Sequence, residues 1–268
     1  MNIFKIIYYL FIKYYLYVLR QKITNYKKKD KKKNTKNIKN LNKNGYCVIE
    51  NYINHKNCEL IKKKIKKYIN KYPKNIIIDK NKSDFRVHGA EFIYSKIKNY
   101  SYSNFLKSIG ENYSGNRLEN LMTMANMTKF SYKNKGSGGG WHRDGLNFQF
   151  KSILYLSDVN LSNGPFEIIE KSKDRREIIK FSIDNNINPI ETRFSNYLIQ
   201  KKIKDKKFKL KTLIGKKGTL IMVDTSCIHR GRPVKSGIRY AITNYYYPKN
   251  LKKIYETQFP KRLKKKII

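Results

Sequence analysis

Apolar residues change their spacing part-way along this chain. YCVIENYI at 46–53 is a short β-type run, and Asn54 is placed to cap a helix in which Cys58, Ile61, Ile65, Tyr68 and Ile69 share a face. From there to about residue 130 the pattern predicts mixed helices and short strands. Beyond Phe130 it turns alternating or continuously apolar, with strand-like runs at 147–156, 165–169, 207–214, 218–229 and 237–247 and a helical insertion around 174–200. No internal repeat is visible. A helical start followed by many short strands predicts a mainly β fold with flanking helices, arranged as a sandwich or jelly roll.

The two ends differ from this middle. Residues 1–24 begin with MNIFKIIYYLFIKYYLYVLR, in which Asn2, Lys5, Lys13 and Arg20 fall near one stripe of a helix, with Tyr9 between them. This predicts an amphipathic helix that either docks on the domain or lies in an anionic membrane interface. A spanning helix is disfavoured, because each lysine at mid-bilayer costs about 2.5–3.5 kcal/mol, and a secretory signal is disfavoured because no small-residue cleavage site follows. Residues 25–44 are expected to be a solvated basic linker, since 27–43 holds nine lysines against one aspartate. Residues 45–250 form the folded domain and 251–268 a basic tail.

Composition changes this picture little. The 268 residues carry a formal charge of +41, yet 40% are hydrophobic and 13% aromatic, which excludes a disordered basic chain. So large a charge points first to nucleic acid or an anionic membrane. The lysines are spread along the chain, accompany abundant Asn, Ile and Tyr as an AT-rich coding bias would produce, and come with no recognised nucleic-acid motif, so a nucleic-acid partner is disfavoured. Cys47, Cys58 and Cys227 are odd in number and far apart, which predicts neither disulfides nor a cysteine zinc site and fits a reducing, cytoplasmic setting.

Candidate chemistry rests on two segments. In WHRDG, His142 and Asp144 are two apart; on a strand they project from one face, which continues as Leu146, Phe148, Phe150, Ser152, Leu154 and Leu156. An aspartate on an apolar face needs a partner, and a cation is the simplest. In GTLIMVDTSCIH, His229 shares parity with Thr219, Ile221, Val223, Thr225 and Cys227 and can point into a barrel. Two imidazoles and a carboxylate make the facial triad of non-haem Fe(II) oxygenases, which leaves coordination positions open for O2 and a chelating cosubstrate. Arg239, on the following strand with Ala241 and Thr243, is placed to clamp the distal carboxylate of 2-oxoglutarate, with Arg232 as the rival arginine. Trp141 is expected to pack beside the strand. Arg86, His88 and Glu91 in DFRVHGAEF stand before the barrel, where they either turn into the cleft or close its wall, and Gly136–Gly140 is expected to be a flexible loop that acts as a lid.

Residues 45–250 resemble the phytanoyl-CoA dioxygenase (PhyH) family of Fe(II)/2-oxoglutarate-dependent oxygenases. The matching stretches are WHRDG, YLSDVNLSNGPFEIIEKSK at 155–173 and GTLIMVDTSCIHRGRPVKSGIRYAITNYY at 218–246. The resemblance implies a double-stranded β-helix (jelly-roll, cupin-like) core, His142, Asp144 and His229 as iron ligands, and Arg239 as the salt bridge to 2-oxoglutarate. It implies hydroxylation of a small-molecule or lipid-like substrate with release of succinate and CO2. Related halogenases carry Ala or Gly where Asp144 stands, so halogenation is not expected. The chain departs from the family at Glu170–Lys173, where members often carry Pro-Gly-Ser-His. Alternatives are a basic nucleic-acid-binding protein on a cupin-like barrel with a degenerate site, or a nucleic-acid oxidative demethylase.

Overall fold

A computed structural model describes residues 35–146, 148–188 and 190–249, with Tyr8 and Ile12. The expected amphipathic helix of residues 1–24 and the tail at 251–268 lie outside the described residues. Among the described residues, no helix is long and apolar enough to cross a membrane.

Two antiparallel sheets face each other. The larger is built from β1 (Tyr46–Ile49), β2 (Ile77–Ile78), β3 (Asp84–His88), β4 (Leu118–Lys129), β5 (Phe150–Tyr155), β8 (Leu220–Asp224) and β10 (Ile238–Pro248), in the order β1-β8-β5-β10-β4-β3-β2. The smaller has the order β7-β6-β9, from β6 (Phe166–Ile169), β7 (Leu210–Leu213) and β9 (His229–Gly231). Connections that cross repeatedly between the sheets give the expected jelly roll.

All six residues of β5 are buried, because its sheet is covered on both faces. On one face Phe150, Leu154, Leu220, Met222, Ile242 and Tyr246 meet α2 (His55–Lys71), α3 (Ser95–Ser101) and α4 (Asn104–Ser114) through Ile61, Ile65, Ile97, Leu106 and Ile109. On the other, Ile153, Tyr155, Ile221, Val223 and Ala241 meet Phe166, Ile168, Leu213 and Cys227 of the smaller sheet side. The insertion forms α5 (Arg175–Asp184) and α6 (Asn196–Lys204), whose Phe181 and Ile199 pack with Trp141, Ile169, Phe194 and Ile228. Trp141 is thus a packing residue, as expected. The Asn54 cap also forms as expected, its side chain accepting from the Asn57 amide at 2.9 Å.

Three expectations need correction. The basic linker of residues 25–44 is not solvated throughout. Residues 35–44 form a helix, α1 (Thr35–Asn44), that buries Leu41 completely against the domain, and Lys173 Nζ donates to the Leu41 carbonyl at 3.2 Å. The β5 strand starts at Phe150, so His142 and Asp144 do not lie on it. The even face of β5 therefore packs on the helices, and its odd face, with Lys151 and Ile153, lines the barrel interior. Finally, the apolar run 218–229 is broken at Asp224. Its carboxylate accepts from the Ser226 amide at 3.0 Å and from Ser226 Oγ at 2.7 Å, a local turn that moves the chain from the larger sheet into the smaller one before His229. Tyr113 donates to the same carboxylate at 2.7 Å and fixes the turn on α4.

Leu154 is fully buried at the sheet–helix interface, so Leu154→Ala is expected to cost about 2–5 kcal/mol of stability. A urea titration checks this, with a lowered midpoint at unchanged slope expected and a loss below ~1 kcal/mol contradicting the packing.

Candidate active site

His142 pairs with His229 as an isolated antiparallel bridge that extends the smaller sheet by one residue. The His142 amide donates to the His229 carbonyl at 2.9 Å and the His229 amide to the His142 carbonyl at 2.7 Å. Residues paired in this way carry their side chains on the same face, and the two rings lie with centroids 4.3 Å apart. The Asp144 amide donates to the Thr225 carbonyl at 3.0 Å, which brings its carboxylate to the same point. Asp144 Oδ1 is 3.8 Å from His142 Nε2, and Oδ2 is 4.0 Å from His229 Nε2.

The donor set suits a metal ion. Nδ1 of His142 is 2.8 Å from the Gly140 carbonyl and Nδ1 of His229 is 2.9 Å from the Cys227 carbonyl. A carbonyl only accepts, so each Nδ1 carries the proton and each Nε2 presents a lone pair inward. Two metal–ligand bonds of about 2.1 Å span at most ~4.2 Å, a limit that both carboxylate–imidazole separations respect. The three residues are a candidate metal cluster whose ligand atoms all lie within 4.8 Å of one another.

Electrostatics keep each group in its binding form. Burial, and then the neighbouring His142, push His229 down to about 3, and burial also lowers His142. Both rings are neutral at pH 7. Burial alone would raise Asp144, but the Lys151 ammonium beside it holds it well below the usual carboxylate range. Lys151 Nζ contacts Asp144 Oδ2 at 2.6 Å and lies 4.2 Å from the centre of the Tyr245 ring. Burial opposes its charge, and Asp144 more than restores it.

The centre opens into a cavity of about 280 Å³. Arg239, Ala241, Thr243 and Tyr245, the odd positions of β10, form one wall. Arg239 is 5% exposed, donates through Nη1 to the Gly164 carbonyl, and leaves Nε buried without a partner. An anion in the cavity would satisfy that donor. Arg232 faces Glu167 at 3.6 Å instead and does not line the cavity.

A model of the phytanoyl-CoA dioxygenase (PhyH) family matches residues 41–241. The chain belongs to this family. Membership makes it a 2-oxoglutarate-dependent iron dioxygenase, the activity that the resemblance implied. No curated protein sequence matches it. Solved structures share the fold at low identity. They include the non-heme alpha ketoglutarate dependent carbocyclase SnoK from nogalamycin biosynthesis, with a TM-score of 0.60 and 12% identity over 85% of this chain and 92% of that one. EctD from S. alaskensis with bound Fe has a TM-score of 0.59 and 12% identity over 80% of this chain and 76% of that one. HygX from Streptomyces hygroscopicus with nickel and 2-oxoglutarate bound has a TM-score of 0.56 and 12% identity, covering 80% of this chain and 87% of that one.

Within this family frame, the structure brings His142, Asp144, His229 and Arg239 to one cavity. Arg86 lines it too, whereas Glu91 accepts from the Thr123 amide at 3.0 Å and His88 lies outside the lining. The loop at 136–140 is pinned rather than free. Ser137 Oγ donates to Asp84 at 2.9 Å, and Arg193 Nη1 donates to the Gly138 carbonyl at 3.0 Å. Gly138, at φ +89°, lies so close to the imidazole that a Cβ there would stand 2.3 Å from His142 Cε1. Sequence reasoning missed Lys151 and Arg193. A lysine inside the apolar run FKSILYL was the available signal for the first; Arg193 had none, since it reaches the mouth through a long-range bridge to His142.

His88 is depressed to about 4, chiefly by burial and then by Arg86, and its Nδ1 has no partner. The unfolded chain takes up this proton near pH 6.5 and the folded chain only near 4, so stability is present above that window and falls as pH drops through it. His88→Gln is expected to lose less stability than wild type between pH 7 and pH 5, by up to about 2 kcal/mol in urea titrations. Equal losses in the two proteins would contradict the burial of a neutral ring.

Proposed function

We propose that His142, Asp144 and His229 hold Fe(II) in this dioxygenase, and that Arg239 binds the distal carboxylate of 2-oxoglutarate. The observation that carries the reading is the convergence of two Nε2 atoms and a carboxylate at one end of a cavity whose other wall bears a buried arginine with an unpartnered Nε. Iron and 2-oxoglutarate, when bound, supply an O2-dependent oxidation that releases succinate and CO2 and hydroxylates a substrate C–H bond.

The protein's own groups set up that chemistry. The Gly140 and Cys227 carbonyls fix the tautomer and rotation of the two imidazoles. Phe166 stacks on His229 with centroids 5.3 Å apart and closes its buried side. Lys151 contacts Asp144 Oδ2 at 2.6 Å and so holds the carboxylate ionised and in place beside the two imidazoles. Arg239 acts by geometry and charge without exchanging a proton. The wall formed by Arg86, Lys151, Arg193 and Tyr245 favours a small polar substrate over a lipid-like one.

Anaerobic loading with Fe(II), followed by O2 and 2-oxoglutarate, tests the reading. Wild type is expected to couple O2 uptake to succinate formation and His142→Ala to lose the coupling. Arg239→Gln should retain iron and raise the KM for 2-oxoglutarate about 10–100-fold, as loss of a charged hydrogen-bonded pair implies. Undiminished turnover in His142→Ala, or an unchanged KM in Arg239→Gln, would refute the assignment.

A further inference from the structure

The charge in the cavity is unbalanced. Among the described lining residues Arg86, Lys151, Arg193 and Arg239 are cationic, and Asp144 is the one carboxylate. Lys151 is matched by Asp144 at 2.6 Å. Arg86 is matched from behind by the buried Asp84, with contacts of 2.6 Å from Nη2 and 2.8 Å from Nε. Arg239 is committed to 2-oxoglutarate on the reading above. Arg193 has no acidic partner among the described residues; Glu191, its neighbour in sequence, accepts from the amides of Thr192 and Arg193 at 2.9 and 3.0 Å. With Asp84 counted beside Asp144 against the four cations, and a dicationic ion cancelling dianionic 2-oxoglutarate, the cavity keeps an excess of about two positive charges.

The excess is built into the mouth. Arg193 is exposed there, and one of its nitrogens donates to the Gly138 carbonyl, which leaves the rest of its fork of donors available. The preceding loop residue, Ser137, donates to the Asp84 carboxylate that holds Arg86. Two guanidinium groups are therefore tied to consecutive residues of one loop, and that loop passes directly over the His142 ring. A Cβ at 138 would collide with the imidazole, so only glycine permits this approach.

We infer that the site takes a small anionic substrate, a carboxylate or a phosphate ester, whose charged group lies between Arg193 and Arg86 beside the metal centre. This rests on the proposed iron and 2-oxoglutarate site. A guanidinium fork binds either oxyanion through paired N–H donors. A cationic substrate would meet Arg193 at the mouth and find no free carboxylate inside, while a neutral one would leave the excess charge unmatched. The volume of about 280 Å³ must also hold 2-oxoglutarate, so only a small substrate, or one end of a larger one, enters.

Calorimetric titration of the full chain tests this in two stages. Mn(II) and then 2-oxoglutarate are titrated first; failure of either to bind overturns the oxygenase site and the substrate inference with it. Protein saturated with both is then titrated with four matched probes: cyclohexanecarboxylate, cyclohexyl phosphate, cyclohexanol and cyclohexylamine. At least one of the two anions is expected to bind about tenfold or more tightly than the alcohol, with the amine weakest, and the tighter of the two anions identifies the substrate as an organic acid or a phosphate ester. Arg193→Gln should weaken the preferred anion about tenfold, and Arg193→Lys should recover part of that loss, with 2-oxoglutarate affinity measured in parallel in each variant. Normal loading with the alcohol or amine bound as tightly as the anions, with no anion bound, with anions bound only by displacing 2-oxoglutarate, or with Arg193→Gln unaffected, overturns the substrate inference alone.

Discussion

The site depends on one pair of reciprocal backbone hydrogen bonds. The amides and carbonyls of His142 and His229 exchange bonds of 2.9 and 2.7 Å, so two residues far apart in the chain become direct cross-strand neighbours. Cross-strand pairing leaves their imidazoles no choice of side. The carbonyls of Gly140 and Cys227 set ring rotation, and the Thr225 carbonyl positions Asp144. Backbone acceptors do most of the orienting, and backbone geometry is anchored by the two packed sheets behind it.

Burial then decides protonation. Imidazoles removed from water remain neutral, the form that donates a lone pair to a metal. A buried carboxylate would be costly alone, and Lys151 keeps Asp144 ionised from one side. On the cavity wall, Arg239 keeps a buried Nε that has no partner in the protein. The polarity of the pocket thus follows from a few charges placed on an otherwise apolar β scaffold.

Much of this was legible in the residues themselves. The parity of Arg239, Ala241 and Thr243 correctly put them on the inner wall, because β10 is a long regular strand. The Asn54 cap and the apolar face of α2 were equally clear, being local signals. The parity argument for His142 and Asp144 brought the two side chains together, as the structure does, but through the wrong geometry. They sit on a bridge and a bend, and the strand that follows presents its odd residues to the cavity. Following the even face hid Lys151, one of those odd residues. Leu41, with Ile38 three residues before it, was the only apolar hint of α1 in a lysine-rich stretch, and composition overrode it. Long-range pairing explains the rest, since nothing local in the chain announces that residue 142 will meet residues 193 and 229.

The convergence of the three side chains on one ion is tested most directly by X-ray absorption at the iron edge of anaerobically loaded protein. The account predicts one iron per chain with an oxygen and nitrogen shell near 2.1 Å that carries the multiple scattering of two imidazoles, and loss of that imidazole signal in a His142→Ala, His229→Ala double variant. An iron site without imidazole scattering, or one unchanged in the double variant, would contradict it.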